Sequence, residues 1–225
     1  MFKAISWVIR GLLAVFVVFH VYALSLRFLP APGSILMAQQ AVSGTTVRRD
    51  WKPIDKISPH LVRAVIAAED SRFCVHDGID LEAVSQAIEE KERGGRQRGA
   101  STITQQTAKN AFLWNGGAWV RKGAEAWLAV FIDFAWGKRR VMEEYLNLAE
   151  WGDGHFGAEA AAWARFRKPA SALTERDAAL LAAVLPSPNK WRLDPPGPYV
   201  TRRAGTIQAR MRVIESESLA ACVLG

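Results

Sequence analysis

The longest apolar run in the chain lies at its start. Over residues 5–29 only Ser6, Arg10, His20, Ser25 and Arg27 interrupt it. As a helix at about 1.5 Å per residue, that run would extend roughly 37 Å, enough to cross a bilayer with tilt. Arg10 and Arg27 stand near its ends, where long basic side chains reach the interface. The run is long for a signal peptide, and the Ala-Pro-Gly after Pro30 is a poor small-residue cleavage site, so a retained anchor is expected. Lys3 and Arg10 on one side are matched by Arg27, Arg48, Arg49 and Lys52 on the other, which leaves the orientation open. Residues 1–30 are read as the anchor. Residues 31–50, holding Pro, Gly, Ser and Thr, read as a linker with one short strand at 45–47, ahead of a domain over 51–225.

Within that domain the apolar positions follow a helical period. Ser58-Pro59 is a helix start, a capping hydroxyl followed by proline at the first helical position. The helix that follows aligns Val62, Ile66, Glu69 and Phe73 on one stripe, at spacings of four, three and four. A second helix is predicted over 80–92, then a charged, glycine-containing segment over 91–98 that reads as mobile. Thr102, three before Gln105, is a capping-box spacing that starts a helix running to Phe112. Further helices are predicted over 120–136 and 138–148, divided at Gly137, and over 159–165. Another starts at Thr174, capped with Asp177, and runs to Leu185 before Pro186 and Pro188. A basic amphipathic helix over 202–219 closes the chain. No period-two alternation is sustained, so the class is mainly α.

Half of the 225 residues are hydrophobic, enough for a substantial core, and the net charge of +7 points to an anionic partner. Cys74 and Cys222 are the two cysteines, far apart and in no metal-ligand or redox spacing, so neither a zinc site nor a disulfide scaffold is indicated, and a single long-range disulfide is the less favoured alternative to two free thiols.

Chemistry concentrates around residues 98–112. Gly99 and Ala100 let another molecule approach the backbone. The first N–H groups of the helix beyond them would favour an anion. Gln105 with Lys109, and Gln106 with Asn110, share faces four apart. Glu69 falls on an apolar stripe, where desolvation raises a carboxyl pKa and suits an acid or base. A carboxylate satisfied by an internal arginine is the plainer alternative. His76 reads as a structural hydrogen-bonder and Tyr145 as core. Arg121 and Glu125, four apart, would by default form a surface ion pair of little energetic value.

Taken in order, these stretches resemble the five signatures of the peptidoglycan glycosyltransferases, glycosyltransferase family fifty-one. Glu69-Asp70-Ser-Arg-Phe73-Cys-Val-His76-Asp-Gly78-Ile-Asp80 is similar to the first and Gly99-Ala-Ser101-Thr102-Ile103-Thr104-Gln105-Gln106-Thr-Ala-Lys109-Asn110 to the second. Arg121-Lys122-Gly-Ala-Glu125 resembles the third, the segment from Lys138 to Asn147 the fourth, and that from Arg176 to Asn189 the fifth. Two positions depart from the pattern: Arg165 stands where an aromatic is usual before Phe166, and Asp177 where glutamate is commoner. A bifunctional relative would continue into a transpeptidase domain; the chain ends at Gly225, so the monofunctional form is expected.

The resemblance implies a mainly α, lysozyme-like domain with a membrane-dipping subdomain, preceded by one transmembrane helix. It implies polymerisation of lipid II, with transfer to a sugar 4-hydroxyl, inversion, and release of undecaprenyl diphosphate. Carried over position by position, Glu69 is the base. Lys109, Arg121, Lys122 and Arg98 stabilise the diphosphate. Glu125 either holds a divalent cation (Mg2+ or Mn2+) or organises those cations. Asp70, Phe73, Ser101, Thr102, Gln105, Gln106 and Asn110 complete the substrate-binding set. Phe112, Leu113, Trp114, Trp119, Trp127, Phe131 and Trp136 are candidates for the lipid interface. The implied partners are lipid II, the growing glycan strand and the membrane, with cell-wall synthesis or division proteins as candidates and no nucleic acid. The implied location is the inner membrane, with the domain in the periplasm. A membrane-bound muramidase and a basic membrane-tethered module that binds nucleic acid or anionic lipid are the rival classes.

Overall fold

The computed structural model describes residues 2–95, 99–117 and 119–225. It is mainly α, as expected. Helix α1 (Phe2–Ser25) carries the apolar run, and most of its length is exposed. Its C-terminal end is docked: Trp136 Nε1 donates to the Ala23 carbonyl at 2.8 Å, Trp127 Nε1 to His20 Nε2 at 3.1 Å, and Arg27 to the Ala135 carbonyl at 2.8 Å. All three contacts fall on α6 (Trp119–Trp136), so α1 joins the rest of the fold through that helix.

The segment after α1 differs from the expected linker. Residues Ile35–Val42 form helix α2, started by Ser34, whose hydroxyl accepts from the Met37 N–H at 3.1 Å. The proline and glycine around it conceal a run of good helix formers between them. The short strand comes later than predicted: β1 (Arg48–Arg49) pairs in parallel with β2 (His155–Phe156).

Helix α7 (Lys138–Leu148) bolts this segment down. Arg140 donates to the carbonyls of Leu26 and Leu29 at 3.0 and 2.5 Å. Fully buried Glu144 accepts from the Ala31 N–H and the Trp51 indole, each at 3.3 Å. Asn147 accepts from the Lys52 N–H and returns a bond to the Lys52 carbonyl, both at 2.8 Å. Burial pushes the Glu144 carboxyl up, and Arg140 is the strongest influence in the other direction.

The remaining helices are α3 (Pro59–Glu69), α4 (Leu81–Glu92), α5 (Ile103–Phe112), α8 (Ala158–Phe166), α9 (Glu175–Val184), α10 (Pro198–Ser216) and α11 (Ala221–Leu224). Ser58 and Thr174 cap α3 and α9 as expected. Asp177 completes a capping box there, so the shorter acid serves the position where the family pattern has glutamate. Helix α3 stops at Glu69, because Asp70 leaves the helical region; Phe73 reaches the core from the following turn. The C-terminal basic helix packs on α3 and α9 through Val200, Ala204, Ile207, Met211 and Ile214. Its apolar spacing of four, three, four and three is that of a packed helix.

The less favoured alternative for the cysteines, a single long-range disulfide, is the one the structure has. Cys74 and Cys222 are bonded, with Cα atoms 5.6 Å apart across a sequence separation of 148. The sequence conceals the pairing because it needs α10 and α11 to fold back over the turn that follows α3. Replacing Cys222 with serine is expected to cost about 2–4 kcal/mol of stability, read by chemical unfolding of the detergent-solubilised protein, and a reductant should reproduce the loss in the unaltered chain.

Candidate active site

Asp70 organises the site. Its buried carboxylate sits 3.0 Å from His76 Nε2 and accepts the Ile103 N–H at 2.9 Å. Thr102 and Gln105 form the predicted capping box, and the Thr102 hydroxyl also donates to the Gly78 carbonyl at 2.6 Å. These contacts correct the expected anion cradle: a carboxylate and a hydroxyl from the protein already take two of the first N–H groups of α5. Thr102 and Gln105 are buried as caps, so they shape the backbone instead of facing a ligand. Phe73 is fully buried beneath the Lys138 ammonium, 4.8 Å from its ring centroid, and packs the core. Lys138 itself is committed to the His76 carbonyl at 2.5 Å and to Asp133 at 2.7 Å.

With α3 and α5 locked together, Glu69 and Gln106 meet. Gln106 Nε2 donates to Glu69 Oε2 at 3.1 Å. The Tyr145 hydroxyl, from α7, donates to Gln106 Oε1 at 3.3 Å. An ionised Glu69 only accepts, so it takes the NH2 end of the amide and leaves Oε1 for the Tyr145 hydroxyl. Burial holds the Glu69 carboxyl above the usual carboxylate range. The Gln106 hydrogen bond and the Arg203 guanidinium, 3.7 Å away, partly offset this, and Asp70 adds to it. Burial also raises the Tyr145 phenol, with Glu69 and Asp70 reinforcing the shift, so Tyr145 stays a donor.

Glu69 opens on a cleft of ≈ 730 Å³ whose lining includes Asp70, Gly99, Ser101, Gln106, Arg203 and Arg210. The two arginines belong to α10 and were not singled out in the sequence. The apolar spacing of α10 marks only its packed face; that these two arginines line the cleft follows from where the helix docks.

A second cluster adjoins the cleft through Ser101, whose hydroxyl accepts from Lys122 Nζ at 3.1 Å. Glu125 is 3 % exposed, so the expected surface ion pair is a buried one. One of its oxygens meets Arg121 at 2.6 Å and the other meets Lys122. Arg121 also donates to the Gly116 carbonyl at 2.6 Å. Lys109 lies within the field of this cluster. Burial depresses its ammonium pKa, Glu125 opposes that, and Arg121 and Lys122 add to it. Asn110 sits partly buried beside it. Arg98 lies outside the described residues.

The donor set around Glu125 does not suit a divalent cation. It offers one carboxylate with each oxygen engaged by a cation, within the field of Lys109, whereas Mg2+ or Mn2+ needs several oxygen donors. Among the described residues no three histidine, cysteine, aspartate or glutamate side chains gather as a metal site.

The lipid-interface candidates divide. Trp114, Trp119 and Trp127 are exposed, and so are Val120 and Phe134, which the sequence did not single out. Leu113 and Trp136 are buried, and Phe112 and Phe131 pack partly against the core. Phe112 is held between Phe19 and Tyr22 of α1 and Trp136 of α6.

A family model described as "Transglycosylase" matches residues 36–212. The chain is 56 % identical over 203 residues to a biosynthetic peptidoglycan transglycosylase of Rhodospirillum centenum, covering 90 % of this chain and 88 % of the relative. It is 50 % identical over 197 residues to one of Caulobacter vibrioides, covering 88 % and 86 %. It is 47 % identical over 216 residues to one of Pseudomonas syringae pv. syringae, covering 93 % and 89 %.

If Glu69 works as a base, activity should fall as pH drops through its raised pKa, which places the acidic limb above the ordinary carboxylate range. Arg203→Gln removes a positive charge that favours the carboxylate. It should therefore move that limb to higher pH, as read from the pH profile of kcat/KM. A limb that stays in place would show that another group controls it.

Proposed function

The chain belongs to the transglycosylase family and is a peptidoglycan transglycosylase of cell-wall biosynthesis, and from that premise we propose that it polymerises lipid II with Glu69 as the general base. The observation that carries this reading is a carboxylate with a raised pKa, aimed by Gln106, with three partly exposed cations gathered around the buried Glu125 across Ser101. Glu69 takes the proton of the acceptor sugar's 4-hydroxyl. The oxygen so freed bonds to the anomeric carbon of the growing strand from the face opposite the diphosphate. The bond from that carbon to the diphosphate oxygen breaks, so the configuration inverts and the electron pair leaves with the diphosphate. The transferred proton ends on Glu69.

Lys109, Arg121 and Lys122 take the negative charge that develops on the leaving group. Lys109 suits the task because its ammonium is disfavoured in the resting site, so an arriving diphosphate relieves that penalty. Glu125 organises the cations: it holds Arg121 and Lys122 in place and keeps their mutual repulsion from opening the pocket. Asp70, Thr102, Gln105 and Phe73 are assigned to positioning, and Ser101, Gln106 and Asn110 to substrate. No step is routed through a divalent cation.

A substrate with a lipid tail explains the rest of the arrangement. Helix α1 is long and apolar enough to cross a membrane, and it docks on the helix that exposes Trp119, Val120, Trp127 and Phe134. Tryptophan at an exposed apolar edge favours the bilayer interface. The domain belongs in the periplasm beside the inner membrane. The Cys74–Cys222 disulfide supports that side, since such bonds persist in oxidising compartments.

The test is incubation of detergent-solubilised protein with labelled lipid II. Long glycan strands are expected, with no dependence on a divalent-metal chelator. Glu69→Gln should lower the rate by about 10²–10⁴-fold, the usual worth of a positioned base. It should not lower the unfolding temperature at neutral pH. The raised pKa means that folding favours the protonated carboxyl, a contribution present below the unfolded pKa and lost as pH rises through the folded one. Lys122→Ala should cost about 10²–10³-fold in kcat, the scale of removing one electrostatic stabiliser. Cleavage of finished strands in place of polymerisation would sink the transferase reading.

A further inference from the structure

A second cavity, of ≈ 480 Å³, lies over the β1–β2 pair and α8 and shares no lining residue with the Glu69 cleft. Four arginines line it, Arg48, Arg49, Arg165 and Arg167, with His155, Trp163 and a single carboxylate, Asp50. Asp50 is engaged by Lys52 at 3.1 Å. Arg165 meets Asp153 at 2.6 Å, and Arg49 Nε donates to the Asn147 carbonyl at 3.1 Å. Arg165 Nε and Arg49 Nη2 are nevertheless buried without a hydrogen-bond partner. Among the described residues the Arg48 guanidinium meets the ring of His155, at 3.4 Å, and no carboxylate, and Arg167 is exposed with no ion pair. Arg165 is balanced by Asp153 and Arg49 lies in the field of Glu144, so Arg48 and Arg167 are the two guanidiniums at this cavity that no described carboxylate balances.

We propose that this cavity is a carboxylate-binding subsite that holds a peptide-bearing sugar of the completed strand; the identity of that occupant rests on the polymerase reading above. Its size falls in the range of small-molecule sites, about 300–1,000 Å³. Guanidinium forks match a carboxylate through paired hydrogen bonds. The Trp163 indole is 50 % exposed and its N–H is taken by Glu159 at 3.0 Å, which leaves a ring face for a sugar to pack on. The finished strand supplies both chemistries, a flat saccharide face and the C-terminal carboxylate of its peptide. Its one diphosphate is at the lipid-bearing end, in the other cleft, so carboxylate is the anion available here. Holding the strand here keeps it attached between additions, so the subsite should set product length.

The test uses the full chain in detergent and a soluble disaccharide-tetrapeptide that lacks lipid and diphosphate, followed by titration calorimetry. The unaltered protein should bind the probe. The double variant Arg48→Ala/Arg167→Asn and the variant Trp163→Leu should each bind at least about tenfold more weakly, the scale of one lost charge-assisted contact. Asparagine is chosen because Arg167 sits at φ +57°, a conformation it tolerates. Unfolding temperatures should match the unaltered protein, and the same probe with amidated carboxylates should also bind about tenfold more weakly. Glu69→Gln should bind the probe normally, and the double variant should make shorter strands from lipid II. No binding at millimolar probe, equal binding by the variants or the amidated probe, or loss of binding in Glu69→Gln would overturn the proposal. The titration needs no turnover. A chain that bound the probe in this pattern but failed to polymerise lipid II would refute the activity and leave the subsite standing.

Discussion

The Asp70 carboxylate is the contact on which the catalytic geometry depends. It joins three pieces of chain: the end of α3, the turn carrying His76, and the first N–H of α5. Without that bridge, Glu69 and Gln106 would belong to separate helices with nothing to fix the distance between them. A buried, hydrogen-bonded carboxylate at a helix N-terminus is favoured both by the dipole and by the unpaired N–H groups there. The helix end that resembles an anion-binding site is therefore used internally, to hold the base in register with its amide.

The same logic recurs at Glu125. A carboxylate almost removed from water is stable because two cations bracket it, and each cation is in turn kept where it would otherwise be repelled. Lys109 stays within this field as an ammonium made uncomfortable by burial and by its neighbours. The desolvated Glu69 carboxyl and the cation group thus stand on either side of Ser101, the separation of charge that the proposed transfer requires.

Helix α7 connects this cluster to the segment that follows α1. On one face it fastens the segment that follows the anchor, through Arg140, Glu144 and Asn147; from another, Tyr145 reaches the catalytic amide. Helix α6 does the equivalent work, docking α1 at its C-terminal end and carrying the Arg121–Lys122–Glu125 group near its start. Helix α1, the exposed aromatic edge and the Arg121–Lys122–Glu125 group are thus parts of one packed unit, the arrangement on which the proposed lipid-tailed substrate draws.

Much of this was legible in the chain itself. The helical period, the caps at Ser58, Thr102 and Thr174, the apolar run of α1 and the odd position of Glu69 are local features, written in spacings of three and four residues. The ordered motifs likewise named the cluster at Lys109, Arg121, Lys122 and Glu125. What the spacing could not reveal is what lies opposite each residue once the helices pack. Only tertiary structure turns Arg203 and Arg210 toward Glu69, pairs Cys74 with Cys222 across the chain, and makes a helix of residues that read as linker. Only packing separates Trp136, buried against α1, from Phe134, which is exposed two residues away. Periodicity determines which side chains share a face; the fold alone decides whether that face meets a core, a carboxylate or a membrane.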